Sequence, residues 1–247
     1  MGPVRESRSH KIRLLLKARA FFFKWRYERM SEEIRLFDLG FVNVFLVRAG
    51  DGYILIDTGV AQQWSRLETE LLQAGCLPDN LKLVIITHGD FDHTGNCAEL
   101  QHKYGAKIAM HSGDVAMVKT GAPVKRQAKS ILGKLFLWLG ERMGGRFDCF
   151  EPDVLLEDGQ GLAGYGWAAK VLHTPGHTQG SIAVLTDDGQ LFVGDTLTNQ
   201  TKPAGASFIE NEQELQDSLA TLKRTKSRMV YPGHGKPFAF EALSAIT

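Results

Sequence analysis

Four short apolar runs in this 247-residue chain each end in side chains that can bind a metal ion. The runs have the length and composition of strands that are buried on both faces. They are residues 83–87 before His88, 171–172 before His173 and His177, 191–193 before Asp195, and 229–231 before His234. If such strands enter two neighbouring sheets, the loops at their ends can meet at one edge and build a single site.

The rest of the chain predicts an α/β alternation. Gly75 and Gly105 follow helical patterns as C-caps, and Asp51-Gly52 is typical of a tight turn. Further strands are predicted at 34–39, 42–48, 53–57, 107–111, 168–172 and 182–185, and helices at 61–74, 96–104 and 212–223. This order is the α/β alternation of a layered fold.

The densest group of donors is the segment 88–93, which contains His88, Asp90, Asp92 and His93. Carboxylates and imidazoles that are forced together in a partly dry site repel one another or shift their pKa values. Divalent ions satisfy such groups and accept this mixture of nitrogen and oxygen donors. A solvated acidic turn is the alternative, and the three downstream donor segments argue against it.

With these segments the chain resembles the metallo-β-lactamase superfamily, whose pattern is an H-x-H-x-D-H cluster followed by separate His, Asp and His ligands. The likeness covers roughly residues 34–240. Further matching segments are Leu55-Ile56-Asp57-Thr58-Gly59, Thr87 through Asn96, His173-Thr-Pro-Gly-His177-Thr, Gly194-Asp195 and Pro232-Gly-His234-Gly. The resemblance implies an α/β fold, a four-layer αβ/βα sandwich of two mixed β-sheets with outer helices and with metals at one edge.

The resemblance also implies two divalent metal ions and no organic cofactor. The implied ligands are His88, Asp90 and His177 for one ion and Asp92, His93 and His234 for the other, with Asp195 bridging them. Asp92 and Asp195 are the candidate catalytic residues. Asp57 is expected to support the ligands through hydrogen bonds, and supporting or structural roles are expected for His111 and His173.

Asp90 departs from the family pattern, which usually has histidine at this position. A carboxylate hardens the site and shifts its preference from zinc, the first expectation, towards iron or manganese. His88 and Asp90 lie two residues apart, so in an extended segment their side chains point the same way and Asp90 can ligate directly. Contact through a water molecule is the alternative, because a carboxylate is shorter than an imidazole.

The function that follows is metal-dependent hydrolysis of a small molecule by a metal-bridging hydroxide. Asp92 would orient the hydroxide, and either a metal-bound water or Asp195 would assist departure of the leaving group. An ester, thioester or lactone is the expected substrate, because an apolar helical insertion predicted at about 120–147 would form a cover over the site. Packing of this insertion on a partner subunit is the alternative. A phosphodiesterase and a diiron oxidoreductase related to the flavodiiron branch are the alternatives; a non-catalytic module would have lost more ligands.

Charge separates the N-terminus from the rest of the chain. Residues 1–30 carry nine Lys/Arg and two Glu, a net charge of +7, which leaves −6 for residues 31–247. We therefore predict a basic extension at 1–30 before a domain at 31–247, with weak membrane contact through 5–29 and a homodimer left open. The acidic balance of the domain argues against nucleic acid as a partner.

The cysteines and the hydropathy pattern bear on the compartment. Cys76, Cys97 and Cys149 are odd in number and have no Cys-x-x-Cys spacing, so neither a disulfide framework nor a thiolate cluster is indicated. No apolar run approaches the roughly 18 to 20 residues that span a bilayer. A reducing, cytoplasmic setting is expected.

Overall fold

The computed structural model describes residues 34–40, 42–121, 126–128 and 147–246. The strands, in chain order, are β1 (Ile34–Asp38), β2 (Asn43–Ala49), β3 (Gly52–Ile56), β4 (Leu81–Ile85), β5 (Ile108–His111), β6 (Gln127–Ala128), β7 (Val154–Leu156), β8 (Ala169–His173), β9 (Ile182–Thr186), β10 (Gln190–Gly194), β11 (Leu197–Thr198), β12 (Ala204–Gly205), β13 (Phe208–Ile209), β14 (Met229–Pro232) and β15 (Phe238–Ala239). The helices are α1 (Trp64–Gln73), α2 (Phe91–Thr94), α3 (Cys97–Tyr104), α4 (Val115–Thr120) and α5 (Glu212–Arg224).

Two mixed sheets form the framework of the described residues. The first has the strand order β1-β2-β3-β4-β5-β7, in which β2 and β3 are antiparallel and β3, β4, β5 and β7 run parallel. The second has the order β15-β14-β10-β9-β8, with one parallel pair, β10 and β14. Two short ladders, β11 with β12 and β6 with β13, lie outside these sheets.

Each sheet packs a helix against its outer face. Leu67 and Leu71, the buried residues of α1, join the apolar cluster of the first sheet. Leu215, Leu219 and Leu222 of α5 do the same for the second sheet. Burial of one such side chain stabilises the fold by about 1.5 to 3 kcal/mol.

Aromatic residues fill the space between the two sheets. The ring of Phe45 on β2 lies 5.3 Å from that of Phe192 on β10 and 5.6 Å from that of Tyr231 on β14, measured between centroids. The order of layers is therefore helix, sheet, sheet, helix, as predicted.

Two backbone hydrogen bonds join the sheets where β4 and β14 end. The nitrogen of Ile182 donates to the carbonyl oxygen of Thr87 at 2.8 Å, and the nitrogen of Asn43 donates to that of Gly233 at 2.7 Å. The loops that follow the two strands are thereby held close together.

Two of the predicted segments fall mainly outside the described part of the chain. They are the extension at 1–30 and most of the insertion at 120–147, within which Gln127–Ala128 form the strand β6. In the described ranges, no helix is long and apolar enough to cross a membrane. The short elements α4, β7 and β11 to β13 were not predicted, because two to six residues carry too little periodicity.

Candidate metal centre

Four predicted donors lie between the end of β4 and the helix α2 or within that helix. His88 follows β4, Asp90 is the N-cap of α2 with an extended backbone (φ −67°, ψ 147°), and Asp92 and His93 lie within that helix. The extended backbone at Asp90 agrees with the geometry expected from the sequence.

The downstream donors reach the same place from three other loops. His177 follows β8, Asp195 follows β10 directly, and His234 lies two residues beyond β14. Because β10 and β14 run parallel, their carboxyl ends meet at one edge.

The seven predicted ligands come together as three overlapping groups, in each of which the donor atoms lie within 4.8 Å of one another. The groups are His88 with Asp90 and His177, Asp92 with His93 and His234, and His88 with His93 and Asp195. The first two are the two sets expected from the sequence. Asp195 lies between them, with Oδ1 3.4 Å from Nε2 of His93 and Oδ2 4.0 Å from Nε2 of His177.

The Nδ1 atoms of three histidines have partners that fix the tautomer. Nδ1 of His93 lies 2.8 Å from Oδ2 of Asp57, and Nδ1 of His177 lies 2.6 Å from the carbonyl oxygen of Phe208. Carboxylate and carbonyl oxygens only accept, so both Nδ1 atoms carry the proton and a neutral ring has its lone pair on Nε2.

Thr87 fixes the same tautomer of His88, with the proton on Nδ1. Oγ1 of Thr87 donates to Asp57 at 2.8 Å and lies 3.0 Å from Nδ1 of His88. Because the hydroxyl of Thr87 donates its single proton to the carboxylate of Asp57, Nδ1 of His88 must be the donor in the contact with Oγ1 of Thr87. Nε2 of His88 therefore also offers a lone pair to the site.

Buried atoms without a partner test whether this donor set fits a metal ion. Among the described residues, Nε2 of His88, Nε2 of His93 and Oδ1 of Asp195 are buried and have no hydrogen-bond partner. A buried polar atom left unpaired costs about 1 to 3 kcal/mol. Three such atoms aimed at one space, all of types that bind divalent ions, fit a cation there.

Comparison with known proteins shows the family of this chain. Residues 37–234 match the profile of the metallo-beta-lactamase superfamily. The chain belongs to this superfamily. It is 30% identical over 195 residues to a hydroxyacylglutathione hydrolase of Shewanella loihica, an alignment of 77% of this chain and 60% of that protein. It is 27% identical over 199 residues to a beta-lactamase-like protein 2 homolog of Drosophila melanogaster, with 78% and 58% covered. The chain thus spans less than two thirds of either relative.

Solved metallo-β-lactamase structures share the fold. A metallo-beta-lactamase family protein of Thermus thermophilus superposes with a TM-score of 0.67 at 24% identity, covering 86% of this chain and 77% of that one. BJP-1, a subclass B3 metallo-beta-lactamase of Bradyrhizobium japonicum, gives 0.63 at 19% identity, with 82% and 75% covered. The predicted superfamily and fold class are confirmed.

In this member of the metallo-β-lactamase superfamily, carboxylates raise the pKa of two of the site histidines, His93 and His234. Burial opposes a proton on His93 and His234, but the negative charges of Asp57 and Asp195 on His93, and of Asp195 on His234, outweigh it. The pKa of His93 is raised well above its usual value, and that of His234 rises to about 10. The negative charge of the carboxylates, which favours a proton on the imidazoles of His93 and His234, also favours a divalent cation beside them.

Arg126 is a part of the site that the sequence did not indicate. Its guanidinium donates through Nη1 and Nη2 to the two oxygens of Asp90, and the side chains are 11% and 16% exposed. Burial opposes the charge of Asp90, but the cation of Arg126 helps to hold the pKa of this carboxyl well below its usual range. Arg126 precedes β6, a strand too short to predict.

A second residue missed by the sequence analysis is Asp114, which is 2% exposed. Its carboxylate accepts from the nitrogen of Gly89 at 2.8 Å, from Oγ1 of Thr178 at 2.7 Å and from the nitrogen of Gly180 at 2.7 Å. Asp114 thereby ties the loop of His88 to the loop of His177. Nothing in its spacing marks this role.

The structure also places the predicted supporting residues. Asp57 bonds Thr87 and His93, as expected. His111 and His173 stack on each other with ring centroids 3.9 Å apart, and neither belongs to the three donor groups. Nε2 of His173 lies 2.9 Å from the carbonyl oxygen of Gln179, so this histidine supports the loop beyond His177.

Proposed function

We propose that this chain is a dinuclear metal-dependent hydrolase that acts on an ester, thioester or lactone. The observation that supports it best is the convergence of three oriented Nε2 lone pairs with buried carboxylates. The proposed ligands are His88, Asp90 and His177 for one ion and Asp92, His93 and His234 for the other, with Asp195 shared.

The two ions would supply, when bound, activation of water at neutral pH and neutralisation of the charge that develops on the substrate. Zinc suits the mixture of imidazole and carboxylate donors and is the proposed metal. Iron and manganese are the alternatives, because the set contains three carboxylates.

Asp92 and Asp195 are the proposed catalytic residues. Oδ2 of Asp92 lies 3.3 Å from Nε2 of His234, and its side chain is 12% exposed, so it can accept a hydrogen bond from incoming water and orient it. Asp195 lies between the two donor groups, and its Oδ1 has no hydrogen-bond partner among the described residues. Its proposed role is to assist the departure of the leaving oxygen or sulfur.

An acyl substrate is supported by two further observations. The hydroxyacylglutathione hydrolase relative is named for a thioester substrate. Phe91, between Asp90 and Asp92, is 41% exposed and offers an apolar surface beside the donors. The net charge of −6 over residues 31–247 disfavours nucleic acid as a substrate.

Assay of the zinc-loaded full chain on a panel of substrates tests this proposal. We expect turnover of a 2-hydroxyacyl thioester, an ester or a lactone. Asp92→Asn should remove about 10²-fold or more of it while the fold is retained, and Asp187→Asn, at an exposed turn, should not change it. Turnover confined to a phosphodiester, or oxygen consumption by the iron form without hydrolysis, would replace the proposal with one of its alternatives.

A further inference from the structure

The ion pair between Arg126 and Asp90 engages both oxygens of a carboxylate that a metal ion would need. Oδ2 of Asp90 accepts from Nη1 of Arg126 and lies 3.3 Å from Nε2 of His88 and 3.2 Å from Nε2 of His177. Oδ1 accepts from Nη2 of the same guanidinium. A bidentate pair of this kind is among the strongest side-chain interactions, since its geometry and charge match.

Local structure holds the backbone next to Arg126. The two residues after it form β6, which pairs with β13 so that Gln127 is opposite Ile209 and Ala128 is opposite Phe208. The carbonyl oxygen of Phe208 accepts from Nδ1 of His177. One short ladder therefore orients His177 and holds the backbone from which Arg126 reaches Asp90.

A second carboxylate lies next to the same ladder. Glu210 directly follows β13, and its Oε1 is buried without a hydrogen-bond partner among the described residues. Nε of Arg126 is also buried and unpaired in this part of the chain. The negative charge of Glu210, after that of Asp90, favours the guanidinium cation against the opposing effect of burial. Glu210 therefore offers the guanidinium a second negative charge besides that of Asp90.

We propose that Arg126 competes with the metal ion for Asp90, so that the two metal positions fill unequally. The position of Asp92, His93 and His234 takes up its ion first, because neither carboxylate beside it, Asp92 or Asp195, forms an ion pair with a lysine or arginine of the described residues. The position of His88, Asp90 and His177 gains its carboxylate only when Arg126 moves away. This inference rests on the proposed function, since it concerns the same metal site.

Calorimetric titration of the apo full chain with Zn²⁺ tests the inference, with bound metal counted by elemental analysis. The wild type should bind a second ion at least about tenfold more weakly than the first, a typical effect of the groups that surround ligands. Arg126→Met should raise the affinity for the second ion by about the same factor and leave the first unchanged. Arg48→Met is the matched control, because Arg48 contacts Tyr53 on the surface.

Asp90→Asn makes the test independent of how well the arginine variant folds. In an Asp90→Asn background the carboxylate is gone, so Arg126→Met should no longer change the second affinity. Arg126→Lys, which keeps the charge without the bidentate fork, should lie between wild type and Arg126→Met. The inference would be overturned, with the proposed function intact, if wild type and Arg126→Met bound the second ion with equal affinity, or if Arg126→Met no longer bound a second ion. A wild type that binds no divalent ion would overturn the proposed function as well.

Discussion

Nδ1 of His93 lies 2.8 Å from Oδ2 of Asp57, and the same carboxylate accepts from the nitrogen and the hydroxyl of Thr87. Asp57 is 1% exposed and has a positive φ of 60°, a conformation that non-glycine residues seldom adopt. A strained backbone here places one carboxylate where it orients His93 directly and His88 through Thr87. The relationship connects the end of β3 to the ligands beyond β4.

Asp57→Asn should therefore weaken metal binding without removing a ligand. The amide cannot accept from Nδ1 of His93 and from Thr87 with the strength of a carboxylate, so the imidazoles lose basicity and orientation. A loss of about 10- to 100-fold in metal affinity is expected, measured by competition with a chromophoric zinc chelator. Asp187→Asn is the control at an exposed position. Unchanged affinity in a folded Asp57→Asn variant would contradict this role.

Asp114→Ala should destabilise the fold rather than act on one ligand alone. It leaves the nitrogens of Gly89 and Gly180 and Oγ1 of Thr178 without their acceptor, in a buried place. We expect a loss of about 3 kcal/mol or more in the free energy of unfolding. Urea unfolding at saturating zinc measures it, with Asp187→Ala as the control. A loss below about 1 kcal/mol would show that water replaces the carboxylate.

Much of the framework was predictable from the sequence because the long elements carry periodic patterns. The apolar runs that became β4, β10 and β14 and the pattern that became α5 predicted the right elements to within two residues. The donors were predictable for a related reason, since they follow strand ends and are dense in the segment 88–93. The structure brings all seven together, while their role as ligands stays a prediction.

Arg126 and Asp114 were not predictable, because tertiary packing alone brings them to the site. Arg126 is 36 positions from Asp90, and Asp114 is 25 from Gly89 and 66 from Gly180. Arg126 directly precedes the two-residue strand β6, and Asp114 is the last residue of a three-residue 3₁₀ turn; elements this short show no periodic pattern. Asp90 was expected to ligate a metal ion beside His88, directly or through a water molecule. The pair with Arg126 adds a competitor that one sequence does not reveal.

Gly233→Ala should disturb the site by steric overlap with its ligands. A Cβ at Gly233 would lie 2.4 Å from Oδ1 of Asp195 and 2.6 Å from Cε1 of His93, closer than real contacts allow. Overpacking of this kind costs about 1 to 3 kcal/mol, and a shift of Asp195 should lower metal affinity as well. Gly164→Ala is the control, because its Cβ would meet nothing within 4 Å. Zinc affinity equal in both variants would show that the loop relaxes without moving the ligands.

Removal of metal should lower the thermal stability of the full chain, and zinc should restore it. Without a cation, Nε2 of His88 and Oδ1 of Asp195 stay buried without a hydrogen-bond partner among the described residues. A ligand that binds only the folded state stabilises it by about 4 kcal/mol at a concentration roughly 1,000-fold above Kd. The melting temperature, measured by circular dichroism in chelator and then at rising free zinc, should therefore increase without a plateau.

Asp195→Asn should flatten this dependence, because it weakens a group shared by both ions. A melting temperature that is equal in chelator and in excess zinc would mean that these donors bind no ion.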